Sequence, residues 1–455
     1  MDSQTVNNTE NNTENNTENN TTSSGIPLFP VSGMRDFYPN DKRVLEWLCN
    51  IWKEVSEKYA CEPYDAPIVE HSDLYTRKSG GDDILKEMYS FTKGGIKLSL
   101  RPEMTPSLAR MIINCYQNQM LPIKWYSVPQ CFRYEDTSKG RKREFYQWNV
   151  DFFGGAKIKS EIEIFCMIVD FLKAIGLSEN DVVIRVSNRM ILQKVLNKLG
   201  VPDDKFERAC NIIDKLNKLT KDELSNMLVD EIGMTKDGIE VVLKLTQVTD
   251  ISGLTEFLPE NDDTLLEMKE IFRIAEAVGI APWLQFDVSV VRGLSYYTGV
   301  VFEGFFKTFR RAMLGGGRYD ELISSFGYKE KVPAIGFGMG DVVVTEILKD
   351  LGKLPSGERV IDYTVIPFNE TLYVDAVNVS NRLRDKKKVV NTYMSDGKFK
   401  LGTAYSYADR TGSKYVVLLA PDEWKNGCVV VKNLKETDAN KKQTVVNLDD
   451  FLNSL

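Results

Sequence analysis

The stretch "CFRYEDTSKGRKREFYQWNVDFF", residues 131–153, decides how the rest of the chain is read. Two runs rich in aromatic residues flank a loop carrying Lys139, Gly140, Arg141, Lys142 and Arg143, the pattern of a hairpin with a basic turn. Successive residues of a strand point to opposite sides, so Phe145, Gln147, Asn149 and Asp151 share one face. A face with three polar groups is no ordinary core face; it suits a small polar ligand. Arg133, between Phe132 and Tyr134, carries a planar fork that fits two oxygens of a phosphate. By itself the basic loop reads equally well as a solvated turn.

On the N-terminal side, "LSLRPEMTPSLARMIINCY" reads as a strand, a Thr105 cap with Pro106 at the first helical position, and a helix. Glu103 and Thr105 are two apart at the strand end and could receive an ammonium group together. A capping Thr beside a surface Glu is the plainer reading. Residues 41–59 place Val44, Leu48, Ile51, Val55 and Tyr59 on one helical face, and a strand begins near Pro67. Residues 1–25, with the repeat "NNTENNTENNTENN", have nothing to bury and are expected to be a disordered tail.

On the C-terminal side, residues 190–275 turn Leu-, Lys- and acid-rich with helical periods and read as a helical insertion. "DVSVVRGLSYYTGVVFEGF", residues 287–305, reads as a buried hairpin with Arg292 inside it. An isolated cation there would cost several kcal/mol, so it needs either a phosphate or an ion-pair partner within the hairpin. "GGGRYDEL" at 315–322 and "AIGFGMGDVVVTEIL" at 334–348 are neither P-loops nor dinucleotide fingerprints; their glycines permit close approach to the backbone. After a linker at 346–359, residues 360–455 show a βαβαβ rhythm that predicts a small, largely parallel α/β domain. The mixed strands and helices of residues 26–345 predict an α+β domain in place of a doubly wound sheet.

Composition narrows the chemistry. A single histidine among 455 residues, His71, nearly excludes Ser-His-Asp, Cys-His and two-His metal sites, and His71 itself is read as structural. Seven scattered cysteines read as reduced core thiols. A net charge of −7 requires any nucleic-acid contact to come from local basic patches. No apolar run approaches the roughly 18 residues of a membrane span. Residues 1–34 hold no Lys or Arg, so a signal or transit segment is not expected and the cytoplasm is.

Taken in order, these stretches resemble the class II aminoacyl-tRNA synthetases, and among them the histidyl-tRNA synthetase family, from about residue 26 to the C-terminus. "GMRDFYPND" resembles the family's opening, 41–67 the first class II motif, "FRYEDTSKGRKREFYQ" the second, and "VRGLSYYTGVVFE" with "GGGRYD" two signatures peculiar to the histidine enzymes. The resemblance implies that Arg133 holds the ATP α-phosphate, Arg141 and Arg143 the outer phosphates, and Glu135 lies near the adenine. Glu103, Thr105 and Gln147 would receive the ammonium group of L-histidine. Asp151 and Tyr297 would bracket its imidazole, with Tyr296 counted among the same ligands. Arg292 would touch both the carboxylate and the α-phosphate, so that Arg133, Arg292 and Gln147 stand at the reacting centre.

The resemblance further implies Mg2+ as counter-ion of ATP, a homodimer, and tRNA(His) as partner, with 360–455 as an anticodon-binding domain and "RLRDKKK" at 382–388 as phosphate contacts. The third class II motif departs from the family: Val343 stands where an arginine is usual, and Ser295 where an Asp often precedes the tyrosine pair. Lys139 or Arg318 is expected to compensate at the ATP site. The competing reading is a histidine-sensing regulatory paralogue that has lost the reaction.

Overall fold

The computed structural model of the protein describes residues 25–76, 82–215, 219–291, 296–309, 311–394, 399–438 and 443–455. The tail sequence 2–24 and Arg292 both lie outside these residues. The chain forms two compact units, one of Leu45–Leu354 with the residues up to Asp36, the other of Pro355–Leu455 with Phe37–Val44.

The first unit is built on nine strands: β1 (Glu62–Pro63), β2 (Ile123–Ser127), β3 (Gln130–Phe132), β4 (Glu144–Phe153), β5 (Val182–Asn188), β6 (Leu284–Phe286), β7 (Val300–Phe306), β8 (Ala312–Arg318) and β9 (Ala334–Gly340). They lie in the order β1-β2-β4-β9-β8-β7-β5-β6, with β3 paired to β4. Only the outer pairs β1–β2 and β5–β6 are parallel. Parallel neighbours need a long crossover, and between β5 and β6 it is helical: Arg189–Lys198, Asp203–Ile213, Lys221–Met227, Lys236–Leu245 and Asp263–Ala277. This is the antiparallel α+β architecture that the mixed strand and helix text predicts.

One face of the sheet is covered by α1 (Pro39–Lys58), α3 (Lys159–Ala174) and α4 (Asp341–Asp350); α2 (Thr105–Cys115) belongs to a second, smaller cluster. Trp148, Val150 and Phe152 of β4 enter the main cluster with Leu48, Trp52 and Phe171. Trp52 stacks on Trp148 at 6.2 Å between ring centroids, and Trp148 Nε1 donates to Ser56 Oγ at 2.8 Å. This placement turns α1 from the expected face: Leu45, Leu48, Trp52, Val55 and Ser56 are buried, whereas Val44, Ile51 and Tyr59 are only partly so. A tryptophan with a buried stacking partner outweighs two aliphatic residues.

Three local expectations are corrected. Residues 287–291 form no strand, because Asp287 Oδ1 accepts from Ser289 N (2.9 Å) and Ser289 Oγ (2.6 Å), a local turn that competes with pairing. The hairpin is instead β7 with β8, in register from Val301 opposite Gly317. Thr105 begins α2 without capping it: the N-cap is Met104 and makes no side-chain hydrogen bond. In the second unit the sheet runs Val390–Thr392, Ile361–Pro367, Ser413–Leu419, Cys428–Asn433, Gln443–Asn447; its first three strands are parallel and its last two antiparallel. The chain between Leu419 and Cys428, with only the short helix Pro421–Lys425, is too brief for a parallel crossover.

Candidate active site

Because β4 sends Trp148, Val150 and Phe152 into the core, Gln147, Asn149 and Asp151 point to the opposite face of the sheet. Opposite them in register stand Gly340, Gly338 and Gly336 of β9, and beyond these Gly315 and Gly317 of β8. Glycines thus floor this face, and the space they leave is used. A Cβ on Gly338 would sit 2.7 Å from Gln147 Nε2, and one on Gly317 2.8 Å from the Tyr297 ring. A Cβ on Gly336 would sit 2.3 Å from Asp151 Oδ1, 2.7 Å from the Tyr319 hydroxyl and 2.7 Å from the Val150 carbonyl. Gly336→Ala is therefore expected to displace Asp151 and weaken the binding of a small polar ligand on this face. Ligand binding unchanged from the wild type in calorimetry would show that the residue serves the sheet alone.

Asp151 is buried and accepts a hydrogen bond from the Tyr319 hydroxyl. Burial pushes its carboxyl up to about 7; the Tyr319 bond pulls back, and nearby Glu103 adds to the rise. Burial, then the Asp151 charge, likewise holds the Tyr319 hydroxyl well above its ordinary value. Glu103 is buried and lies 3.5 Å from the Tyr296 hydroxyl. Two carboxyl groups thus influence one another above a glycine floor, a setting that favours a cationic or N–H-donating ligand. Tyr296 and Tyr297 pack against Tyr319, with centroids 5.8 and 6.4 Å from it. Tyr319, whose hydroxyl is the one that reaches Asp151, was not singled out from sequence; its signal is its place just after the glycine run of "GGGRYD". Tyr64 was also missed: its buried hydroxyl has no hydrogen-bond partner among the described residues, and burial first, then the Asp151 charge, holds its ionisation well above the ordinary value.

The segment bearing Glu103 and Thr105 is strapped beside Arg133. Phe132 N donates to Arg101 O at 3.0 Å, and Arg133 Nε to Pro102 O at 2.9 Å. Arg101 is a buried anchor, donating to Asp65 Oδ1 (2.7 Å), Ala66 O (2.6 Å) and Gln130 O (2.9 Å). Arg133 lies over the Phe145 ring at 5.3 Å with Nη1 3.8 Å from Glu135 Oε1, and Arg141 contacts the other oxygen of Glu135. Arg143 stacks on Tyr134 at 3.9 Å and donates to Glu135 O at 3.1 Å. Two guanidinium groups therefore face one buried carboxylate and a third is tied to the backbone of the same residue, an arrangement that attracts a polyanion.

Two expected compensators are not part of this group. Arg318 is fully buried, gives Nε and Nη2 to Glu161 at 2.6 and 2.8 Å and Nη1 to Asp320 at 3.0 Å, and so has its fork committed inside the fold. The expectation that Arg318 binds ATP is corrected on that ground: removing a guanidinium from a buried bidentate pair would strand a charge. Lys139 pairs at the surface with Asp350 at 2.8 Å. Among the described residues no three His, Cys, Asp or Glu side chains converge to hold a metal ion. His71 sits exposed in a short strand, Val69–His71, opposite Leu98. In the second unit, Arg382 pairs with Asp449, Arg384 donates to Val390 O and Thr392 Oγ1, and Lys386 and Lys387 are exposed.

Comparison with known proteins agrees with this layout. The family model for histidyl-tRNA synthetase matches residues 33–341, and that for the anticodon-binding domain matches residues 362–455. The chain is 40% identical over 428 residues to a chloroplastic/mitochondrial histidine–tRNA ligase of Arabidopsis thaliana, covering 94% of this chain and 86% of the relative. It is 33% identical to the histidine–tRNA ligase of Pyrococcus horikoshii, covering 89% and 94%. A crystal structure of histidyl-tRNA synthetase from Nostoc sp. PCC 7120 superposes with a TM-score of 0.76 over 94% of this chain and 99% of that one, at 22% identity, a likeness of fold. With matches that take in the sheet, the helical crossover and the second unit alike, the chain belongs to the histidyl-tRNA synthetase family.

Proposed function

We infer that the protein is a histidine–tRNA ligase: it joins L-histidine to ATP as histidyl-adenylate, releasing pyrophosphate, and passes histidine to the 3′ end of tRNA(His). The observation that carries the reading is the arginine group around Glu135 beside the glycine-floored face holding Gln147 and Asp151. In the first step a histidine carboxylate oxygen attacks the α-phosphorus in line. An O–P bond forms, the bond to the β-phosphate oxygen breaks, and pyrophosphate leaves with its electrons. The nucleophile is already an anion, so no protein base is required, only positioning and charge stabilisation. Arg133 would hold the α-phosphate, joined by Arg292 from its place in "VVRGLSYY", while Arg141 and Arg143 take the outer phosphates and Glu135 lies near the adenine. Glu103, Thr105 and Gln147 would receive the ammonium group. Asp151, oriented by Tyr319, would accept the imidazole N–H, with Tyr296 and Tyr297 closing the pocket. In the second step the terminal adenosine hydroxyl of the tRNA attacks the adenylate carbonyl and AMP departs.

Charging of a tRNA(His) transcript by the full chain tests the reading. Histidine-dependent acylation supports it; a folded, histidine-binding chain that charges no tRNA would favour the regulatory alternative. A crystal structure of an ATP phosphoribosyltransferase regulatory subunit/histidyl-tRNA synthetase from Bacillus halodurans C shares the fold at 20% identity and a TM-score of 0.71. Retention of Arg133, Arg141 and Arg143 together with the 362–455 match favours the ligase.

A cytoplasmic site of action belongs to this proposal. All seven cysteines are free thiols, as a reducing compartment keeps them. No helix among the described residues is long and apolar enough to cross a membrane. A homodimer belongs to it too: Val69, Phe91 and Ile96 of the three-stranded sheet that follows α1 are exposed apolar side chains suited to a partner copy. Sedimentation at twice the chain mass is the expected result, lost on Phe91→Asp; a monomeric wild type would rule the dimer out.

A further inference from the structure

The arginine usual in the third class II motif is absent, and the structure offers a reason why the ATP site can do without it. Val343 is buried and meets the turn of the second motif as an apolar contact. A Cβ on Gly140 would lie 3.4 Å from Val343 Cγ2 and 3.2 Å from the Phe309 ring, so both side chains press on this turn. Phe309 belongs to the connection between β7 and β8, and two residues on is Arg311. Its Nη2 donates to Ser138 Oγ at 2.8 Å, in the same turn, where Ser138 and Arg141 bridge one another through their backbones.

We propose that Arg311 is an ATP-binding residue, a guanidinium delivered from the β7–β8 connection to the outer phosphates, in the place left by Val343. The surroundings favour this over a purely structural role. Burial, and then the adjacent Arg141 cation, push the ionisation of Arg311 down, while Glu135 pulls it up. Arg133 and Arg141 thus face the single carboxylate of Glu135, the guanidinium of Arg143 donates to the backbone carbonyl of the same residue, and Arg311 lies within the field of both Arg141 and Glu135. Cations kept close without enough counter-charge repel one another, so the group gains most from a polyanion that satisfies several forks at once. A triphosphate has that charge and spacing, and Ser138 holds the Arg311 fork by one nitrogen, leaving its remaining N–H groups for phosphate oxygens. Lys139, one residue along, is turned to Asp350. The inference rests on the ligase reading only for the identity of the anion.

Direct ATP binding to the full-length protein, measured by calorimetry beside AMP and histidine, tests it without requiring turnover. Arg311→Ala should weaken ATP binding about 10- to 100-fold, the size of one charge-assisted hydrogen-bonding group. Affinities for AMP and histidine and the melting temperature should stay as in the wild type. Arg311→Lys, which keeps the charge and loses the fork, should fall between. Unchanged ATP affinity in Arg311→Ala overturns the proposal. An equal loss for ATP and AMP also overturns it, since Arg311 would then shape the 138–141 turn and not hold outer phosphates. A wild type that binds ATP but shows no histidine-dependent exchange sinks the ligase reading while leaving the Arg311 comparison decisive. A wild type that binds no ATP removes both.

Discussion

Replacing Arg133 by alanine is expected to lower the rate constant of histidine-dependent ATP–pyrophosphate exchange by on the order of a hundred- to a thousandfold. The side chain is held in advance of any substrate: Nε is fixed by Pro102 O, the guanidinium lies on the Phe145 ring, and Nη1 faces Glu135. A cation so constrained spends little on reorganisation when charge builds on the α-phosphate, which is why its loss should appear in the rate more than in ATP affinity. Arg133→Lys should recover only part of the loss, because a point charge cannot reproduce the fork. Exchange kinetics that move in the ATP Michaelis constant alone would assign Arg133 to ground-state binding.

The second large effect concerns Asp151 and pH. Its carboxyl titrates at about 7 in the folded protein, against about 4 in an unfolded chain. Between those values the folded state keeps a proton that the unfolded state has released, so this group lowers stability progressively as pH rises from about 4 to 7, and no further above. Asp151→Asn should therefore stabilise the unliganded protein, by up to on the order of 4 kcal/mol at pH 8, while crippling histidine activation. The melting-temperature gain should be larger at pH 8 than at pH 5.5; equal gains at both would contradict the assignment. Histidine binding should strengthen from pH 6.5 to 8 in the wild type as the carboxylate forms, and that dependence should vanish in Asp151→Asn.

The trade between fold and function at Asp151 also shows what one dimension can and cannot reveal. Alternation along residues 144–153 is a local property, so Gln147 and Asp151 could be placed on the face turned away from the main core from the text alone, and the basic turn with them. Arg318 could not be read correctly because its partner, Glu161, lies 157 residues away on another element. Nothing in "GGGRYD" distinguishes a buried, paired arginine from a ligand. Tyr319 is the reverse case, a residue overlooked because its hydrogen bond to Asp151 spans 168 positions. Residues 287–291 misled because Val and Ser alternate there as in a strand, whereas an Asp287 turn with Ser289 satisfies the backbone locally. Arg311 had no motif to announce it; only the return of the β7–β8 connection to Ser138 places it beside the second motif.

The reaction proposed for this chain is selective activation of one amino acid, for which its arginines and the substrate's own carboxylate suffice. Pyrophosphate exchange by the wild-type chain, run with each amino acid in turn, measures that directly. Exchange with histidine alone is the predicted result. Exchange driven by another amino acid, or none from a folded chain that binds histidine, would contradict it.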